Sequence, residues 1–434
     1  MASSLAQPTS MNIGRVRELA ALPIPVGTKG VPLRPGLMLG DAARMGWRVL
    51  DGDVPMPVLV LKEGALANNL AAMAAYAERV GALLCPHGKT TMAPQLFARQ
   101  IEAGAWGLTA ATPVHLALYR HYGVQRILYA NQLVEPQVIN WLDQELADDP
   151  DFEFYCLVDS PAAVEALDGG LRAAGRAVNV LIEIGYPGGR CGVRDLDGAR
   201  RLADAVEGSR RLSLTGIECF EGLIARTTTD ATIRAVDEFL SFTDAVARDL
   251  IARTTLREAE TVLVSAGGSA YFDRVTVAFD VAGSRGARTR LILRSGCYLT
   301  QDGGFYDSVS PLAGRADVAV LRDAIEVWST VLSRPEPSLL ITSMGRRDVP
   351  YDLGLPKAVR SAKPGAGARP LDGAEVKGLN DQHAHITVPA DSTLSPGDLV
   401  GCTISHPCGA FDRWRVILVV DDGYRVTEAI ATCF

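Results

Sequence analysis

Between about Val54 and Leu299, short runs rich in β-branched residues alternate with longer Ala/Leu-rich stretches of helical period, and the alternation stops at about residue 300. Repeated strand-helix units of this kind build a parallel sheet, because two neighbouring parallel strands need a crossover long enough to hold a helix. The candidate strands are PVLVL at 57–61, RILYA at 126–130, FEFYCLV at 152–158, NVLIEIG at 179–185, SLTGIEC at 213–219, TVLVSAG at 261–267 and LILRSG at 291–296. Stretches such as GALANNLAAMAAYAERVG and TIRAVDEFLSFTDAVARDLIART carry apolar residues at three- and four-residue steps and fill the gaps as helices. About eight such units close a (β/α)8 barrel of the TIM type.

Beyond residue 300 Gly and Pro multiply, and alternating runs such as AIEVWSTVLSR, SLLITSM, HAHITV, DLVGCTI and RWRVILVVDDGYRVTEAI predict an all-β domain. A chain of 434 residues exceeds what one hydrophobic core usually supports. The expected division is therefore an N-terminal extension over 1–53 packing on the β-domain, an α/β barrel over 54–300, and a β-strand domain over 301–434. Residues 361–373, SAKPGAGARPLDG, read as an exposed loop inside that last domain.

Hydrophobic residues make up 48% and charged residues 21%, the composition of a globular protein with a large core. With a net charge of −7 and no Lys/Arg-rich run, a nucleic-acid partner is not expected, and a small molecule is. The eight cysteines lack the close spacings of a disulfide framework, which fits reduced thiols in a cytoplasm. No stretch reaches the roughly 18 apolar residues of a membrane span, and the N-terminal stretch has no continuous apolar segment, so no membrane association is expected.

Four segments hold residues that carry chemistry. In LLCPHGKTT, residues 83–91, Lys89 follows an apolar run; buried at the end of a barrel strand, it would have a lowered pKa and could form a Schiff base with a carbonyl cofactor. Taken alone, it reads first as a surface-loop lysine, the commoner state of the residue. In SAGGSAYFD, residues 265–273, Ser265, Gly267, Gly268 and Ser269 offer amides and hydroxyls to a phosphate, or form an ordinary turn. The loop follows the next-to-last candidate strand, where barrels commonly bind phosphate.

In ISHPCGAFDRW, residues 404–414, His406 and Cys408 lie two apart, and on an extended segment they would face one side as a zinc half-site or pack as a plain His and Cys. His383, in NDQHAH, is the third candidate beside them and the candidate catalytic histidine. Finally GYPGGRCGV, IECFEG and LRSGCYLTQD all end candidate strands; Arg190 could pair with a planar anion, and Tyr298 is a further candidate cofactor contact.

Together these segments resemble the D-serine dehydratase-like and D-threonine aldolase family, whose barrel is the fold-type III, alanine-racemase-like one. The resemblance runs from about Val54 to the C-terminus and is carried by PHGKTTMAPQLFARQIEAGAWGLTAAT at 86–112 and by the closing DQHA, GD and SHPC segments. It implies a pyridoxal 5'-phosphate (PLP) enzyme with Lys89 as the Schiff-base lysine, Gly267, Gly268 and Ser269 as phosphate ligands, and His406 with Cys408 as ligands of a divalent metal. The family's usual Glu-Glu-His stretch reads Asp381-Gln382-His383 here, which leaves the role of His383 open. The CPHGKT, SHPC, FDRW and TCF signatures look like the bacterial branch labelled amino-acid deaminase or D-serine deaminase.

The resemblance implies a small β-hydroxy-D-amino acid substrate, D-serine, D-threonine or 3-hydroxy-D-aspartate, converted to a 2-oxo acid and ammonia. The rival is retro-aldol cleavage to glycine and an aldehyde by the same parts; Cys408, a soft ligand, favours zinc over manganese and so the dehydratase. A racemase and a non-catalytic PLP carrier are further alternatives. A homodimer is expected from the fold type alone.

Overall fold

The computed structural model describes residues 7–279, 288–315 and 318–434. The chain divides into two compact units, one made of Met1–Asn12, Met73–Lys89 and Gln100–Gly296, the other of Ile13–Ala72, Thr90–Arg99 and Cys297–Phe434. Each unit is thus assembled from separate stretches of the chain, and residues 1–6 of the expected extension lie outside the described residues.

The run PVLVL forms strand β1 (Val58–Lys62), which leaves the barrel altogether: it pairs antiparallel with the strand at Ile325–Glu336 and parallel with the strand at Val416–Val420. The reason is legible in its side chains. Leu59 and Leu61 enter one buried cluster with Val327, Val400 and Ile417, while Val58 and Val60 enter another with Leu37, Trp47, Val49 and Leu418. A strand covered on both faces reads as a continuous apolar run in whichever sheet it lies, so composition alone does not say which.

The first unit is the barrel. Its strands are β2 (Leu83–Leu84), β3 (Leu108–Ala110), β4 (Arg126–Gln132), β5 (Glu153–Val158), β6 (Val178–Ile184), β7 (Leu212–Cys219), β8 (Val262–Ala266) and β9 (Thr289–Leu293). They run in parallel in the order β2-β9-β8-β7-β6-β5-β4-β3. The ends of that series meet: Trp106 N donates to Leu84 O at 2.7 Å, Thr109 N to Pro86 O at 2.9 Å, and His87 bridges in parallel to Thr109. Cys85, Trp106, Leu128, Leu157, Leu181, Leu263 and Ile292, drawn from most of the strands, form one buried cluster. At Gly216 a Cβ would lie 1.8 Å from Leu263 O, so the contact between β7 and β8 admits only glycine.

The second unit holds the ten-stranded sheet. Besides β1 it contains β10 (Ile325–Glu336), β11 (Leu339–Thr342), β12 (Lys357–Ala362), β13 (Arg369–Pro370), β14 (Glu375–Leu379), β15 (Ala384–Thr387), β16 (Leu399–Thr403), β17 (Val416–Val420) and β18 (Val426–Ala431). Its main path is β13-β12-β16-β10-β1-β17-β18, with β11, β15 and β14 added through β10. The expected loop at 361–373 is the tip of a largely exposed hairpin, Arg360 pairing with Pro370 and Ser361 with Arg369.

Candidate active site

Polar groups gather where the barrel strands end. Lys89 lies in the turn Gly88–Thr90 that follows β2, Glu183 lies in β6, Glu218 in β7, Ser265 in β8, and Arg294 directly after β9. This is the end of such barrels that carries chemistry, because the loops there can vary without disturbing the packed strands. The side chain of Lys89 is exposed on the turn, the surface-loop placement that the residue taken alone suggested. A lysine on a strand-end turn is open to a carbonyl ligand without first being desolvated by the protein.

Around it the buried polar groups are incompletely paired. Arg294 Nη2 donates to Cys219 O at 2.8 Å, and the guanidinium forms a close ion pair with Glu218. That pair lacks hydrogen-bond alignment, and among the described residues Arg294 Nε, both carboxylate oxygens of Glu218, Ser265 Oγ and His87 Nδ1 have no hydrogen-bond partner. Burial drives the Glu218 carboxyl up to about 8, an effect that Arg294 only partly offsets. Burial likewise pushes the His87 imidazole well below its usual value, with Lys89 and Arg294 adding to the shift. Unpaired buried polar atoms cost free energy and are rare in native proteins unless a ligand or water serves them. A small, highly polar cofactor with a phosphate and ring heteroatoms fits these donors and acceptors, as PLP would.

The Gly-rich turn does bind an anion, but one from the chain itself. Gly268 N donates to Glu221 Oε1 at 2.9 Å and Gly267 N to Glu221 Oε2 at 3.3 Å, with Gly267 in the left-handed region at φ 85°. Ser295 Oγ donates to Gly268 O at 2.7 Å and braces the same turn. Ser269 is half-buried beside it. Arg190 is exposed, its guanidinium 5.4 Å from the centre of the Phe220 ring.

The second unit brings His406 and Cys408 together, by a local structure different from the one expected. Residues 404–414 are not an extended strand: His406 takes a left-handed backbone at φ 87°, and Pro407–Phe411 is a short helix. A non-glycine residue held there is strained and needs support from its surroundings. Asp302 supplies it, Oδ2 accepting from His406 N at 2.8 Å.

The imidazole is oriented by Asp352, whose Oδ2 lies 2.6 Å from His406 Nδ1, and Nε2 is not part of that bond. Hydrogen bonding to the Cys408 sulfur, then to Asp352, raises the imidazole to about 9, and contact with Cys297 and His406 holds the Cys408 thiol well below its usual range. A thiolate and an imidazole whose far nitrogen is fixed by a carboxylate are the parts of a metal half-site with its outer shell in place. Among the described residues no three His, Cys, Asp or Glu side chains converge on one point, so two protein ligands would leave the remaining positions to water or substrate.

The other candidates lie elsewhere. His383 is exposed in the turn between β14 and β15, where its carbonyl accepts from Asn380 N at 2.8 Å. Tyr298 belongs to the second unit and is 1% exposed. Glu218, Glu221, Arg294, Asp302 and Asp352 were not singled out from the sequence; the one available signal was a charged residue within or just after an otherwise apolar strand, as in IECFEG and LILRSG.

Known proteins match both units. The family described as "Alanine racemase, N-terminal domain" matches residues 61–275, and the family described as "Putative serine dehydratase domain" matches residues 324–420. A D-threonine aldolase of Arthrobacter sp. is 25% identical over 398 residues, 91% of this chain and 94% of that one. The crystal structure of D-threonine aldolase from Filomicrobium marinum superposes with a TM-score of 0.72 at 24% identity, over 88% of this chain and 95% of that one. D-threo-3-hydroxyaspartate dehydratase from Delftia sp. HT23 gives a TM-score of 0.69 at 20% identity, over 87% and 97%. Also matched are structures of a D-threo-3-hydroxyaspartate dehydratase as a histidine-to-alanine variant and as a cysteine-to-alanine variant in the metal-free form, the two substituted positions being two apart. Among the described residues no helix is long and apolar enough to cross a membrane. With both family patterns found in order and a relative matched nearly end to end, the chain belongs to the D-serine dehydratase-like and D-threonine aldolase family of PLP-dependent lyases, built on the alanine-racemase-like barrel of fold type III.

Proposed function

We propose that this lyase removes water and then ammonia from a small β-hydroxy-D-amino acid, D-serine, D-threonine or 3-hydroxy-D-aspartate, to give a 2-oxo acid. The observation that carries the reading is Lys89, exposed on its turn in the unit whose strand ends hold buried polar atoms without a hydrogen-bond partner, Arg294 Nε, the Glu218 oxygens and Ser265 Oγ. Bound through Lys89, PLP supplies a ring that accepts electron density and so acidifies the proton on the substrate's α-carbon. Lys89 Nζ would hold the cofactor and would serve as the base for that proton. Ser265 and Ser269 would offer hydroxyls to the phosphate, whereas the Gly267 and Gly268 amides are engaged by the Glu221 carboxylate and would serve it only once freed. Arg190 suits the cofactor's phenolic oxygen or the substrate carboxylate. No step is assigned to His383 or Tyr298.

His406 Nε2 and Cys408 Sγ would hold a divalent metal, zinc by the preference of thiolate, and Asp352 would orient the imidazole through Nδ1. Such an ion acts as a Lewis acid on an oxygen that departs or loses a proton. A D-threo-3-hydroxyaspartate dehydratase, whose cysteine variant is described as metal-free, supports the same choice. Retro-aldol cleavage is the second reading, favoured by the match to the Arthrobacter aldolase over most of both chains. Its products, glycine and an aldehyde, differ from a 2-oxo acid and ammonia. A homodimer and a cytoplasmic location complete the proposal, the latter supported by eight cysteines that are all free thiols.

The test is a product assay on purified protein supplied with PLP and zinc and given each of the three substrates. Oxo acid and ammonia in equal amounts are expected, and Lys89→Ala should lose the visible absorbance of the cofactor-loaded protein together with at least a hundred- to ten-thousandfold in rate, about the range of a positioned proton-transfer group. Aldehyde and glycine as the main products would move the assignment to the aldolase. Absence of cofactor absorbance in the native chain would remove PLP from it.

A further inference from the structure

Cys297 and Cys408, 111 residues apart in sequence, bring their sulfurs to 3.6 Å within the second unit. Cys297 lies in the turn Cys297–Leu299 and is 4% exposed; Cys408, in the short helix after His406, is partly open to solvent. Thr90 Oγ1 stands 3.4 Å from the Cys408 sulfur and 3.9 Å from that of Cys297, so a hydroxyl flanks both thiols. This is the geometry of a sulfur that an oxidant can reach, next to a sheltered one that can resolve it.

We propose that Cys297 and Cys408 are a reversible oxidation site for a peroxide, and that closing their disulfide withdraws Cys408 from metal binding; the second part rests on Cys408 being a metal ligand. The chemistry balances without any group beyond the peroxide. Oxygen transfer to the Cys408 sulfur breaks the O–O bond, gives a sulfenic acid and releases one water. The Cys297 sulfur then attacks that sulfur; the S–S bond forms, the S–O bond breaks, and the hydroxide leaves with the Cys297 proton as a second water. Two thiols are oxidised and one hydrogen peroxide is reduced to two waters. Shortening the separation from 3.6 Å to the roughly 2.05 Å of a disulfide asks the sulfurs to approach by about 1.5 Å.

Cys297 enters neither the proposed ligand pair nor the barrel site, so its substitution separates oxidation from metal binding. Full-length zinc-loaded protein is treated with hydrogen peroxide, alkylated, and mapped by mass spectrometry without reduction, while zinc is measured after desalting. The expected result is one linked peptide pair carrying Cys297 and Cys408, loss of two free thiols per chain, and release of zinc, all reversed by dithiothreitol with zinc restored. Cys297→Ser should bind zinc as the native chain does, form no linked pair, and carry Cys408 on to sulfinic acid that dithiothreitol does not repair. Irreversible oxidation of Cys408 in the native chain, with no linked pair, overturns the proposal. So does loss of zinc affinity in untreated Cys297→Ser, which would make Cys297 a ligand. A linked pair in a native chain that never bound zinc would instead retire the metal reading and leave the oxidation site standing.

Discussion

Two glutamates, each at most 1% exposed, sit in the two units of this chain and are treated in opposite ways. In the second unit Glu326 is fully served: Lys62 Nζ and Arg360 Nε donate to Oε1 at 3.0 Å, Tyr424 Oη and Trp328 Nε1 to Oε2 at 2.7 and 3.2 Å. Burial pushes its carboxyl up, yet Lys62, Tyr424 and Arg360 together bring it below the usual range. In the barrel Glu218 has one cation against it and no aligned donor, and its carboxyl is driven up to about 8. A buried carboxylate whose lone pairs are all filled by the fold is a structural part. One left short of partners among other unpaired polar atoms at the strand ends of a barrel marks where the protein leaves room for a ligand.

The largest way to test that contrast is Glu326→Ala. The change strands Lys62, Arg360 and two aromatic donors, and breaking a buried ion pair from one side costs about 3–5 kcal/mol, so denaturant unfolding should lose that much stability while PLP uptake by folded protein stays as it was. A cost below about 1 kcal/mol would mean that the four donors find water as readily as they find Glu326.

Asp323 sharpens the contrast within the second unit, because it lies near Glu326 in sequence yet titrates like Glu218. Burial raises its carboxyl to about 6, Lys62 and Thr403 offsetting only part of the effect. A raised carboxyl pKa favours the folded state while the proton is on, and that contribution is lost as pH climbs from about 4 through 6. The shift corresponds to at most about 3 kcal/mol, less because the side chain is only half-buried. Asp323→Asn should therefore gain on the native chain between pH 4 and pH 7, read as the difference between their melting temperatures at the two ends. A difference independent of pH would show that Asp323 carries no such proton.

How far these sites were legible in the sequence depended on whether the signal was local. RILYA, FEFYCLV, NVLIEIG, SLTGIEC, TVLVSAG and LILRSG all became barrel strands, because short runs dominated by apolar and β-branched residues between helical stretches declare a buried strand. Leu83–Leu84 and Leu108–Ala110, which close the barrel, are too short to carry any period. PVLVL carried the strand signal and was assigned to the wrong sheet, since its partners near residues 328 and 418 are invisible from its own composition. His406 and Cys408 were found by spacing, but their meeting depends on a left-handed residue and on Asp302, more than a hundred positions away. Glu218, Arg294 and Glu221 escaped because an acid or a base in a strand means nothing until its neighbours in space are known.

The smallest and most discriminating change is Glu218→Gln. With its carboxyl at about 8, Glu218 is largely protonated at neutral pH, and glutamine copies the shape of the neutral acid. At pH 4, where the unfolded chain is largely protonated as well, stability should therefore move by less than about 1 kcal/mol, far less than for Glu326→Ala. Because a raised pKa costs the native chain stability as the proton leaves, the glutamine variant should gain on it by about 1 kcal/mol between pH 7 and pH 9, opposite in sign to what the lowered carboxyl of Glu326 contributes at acid pH. The same variant should hold PLP less tightly at pH 7, measured by absorbance during dialysis, if the unpaired oxygens of Glu218 and the Arg294 guanidinium beside them serve the cofactor. A variant that unfolds as easily as Glu326→Ala, or that keeps PLP as the native protein does, would erase the distinction between the two glutamates and return Glu218 to the structural class.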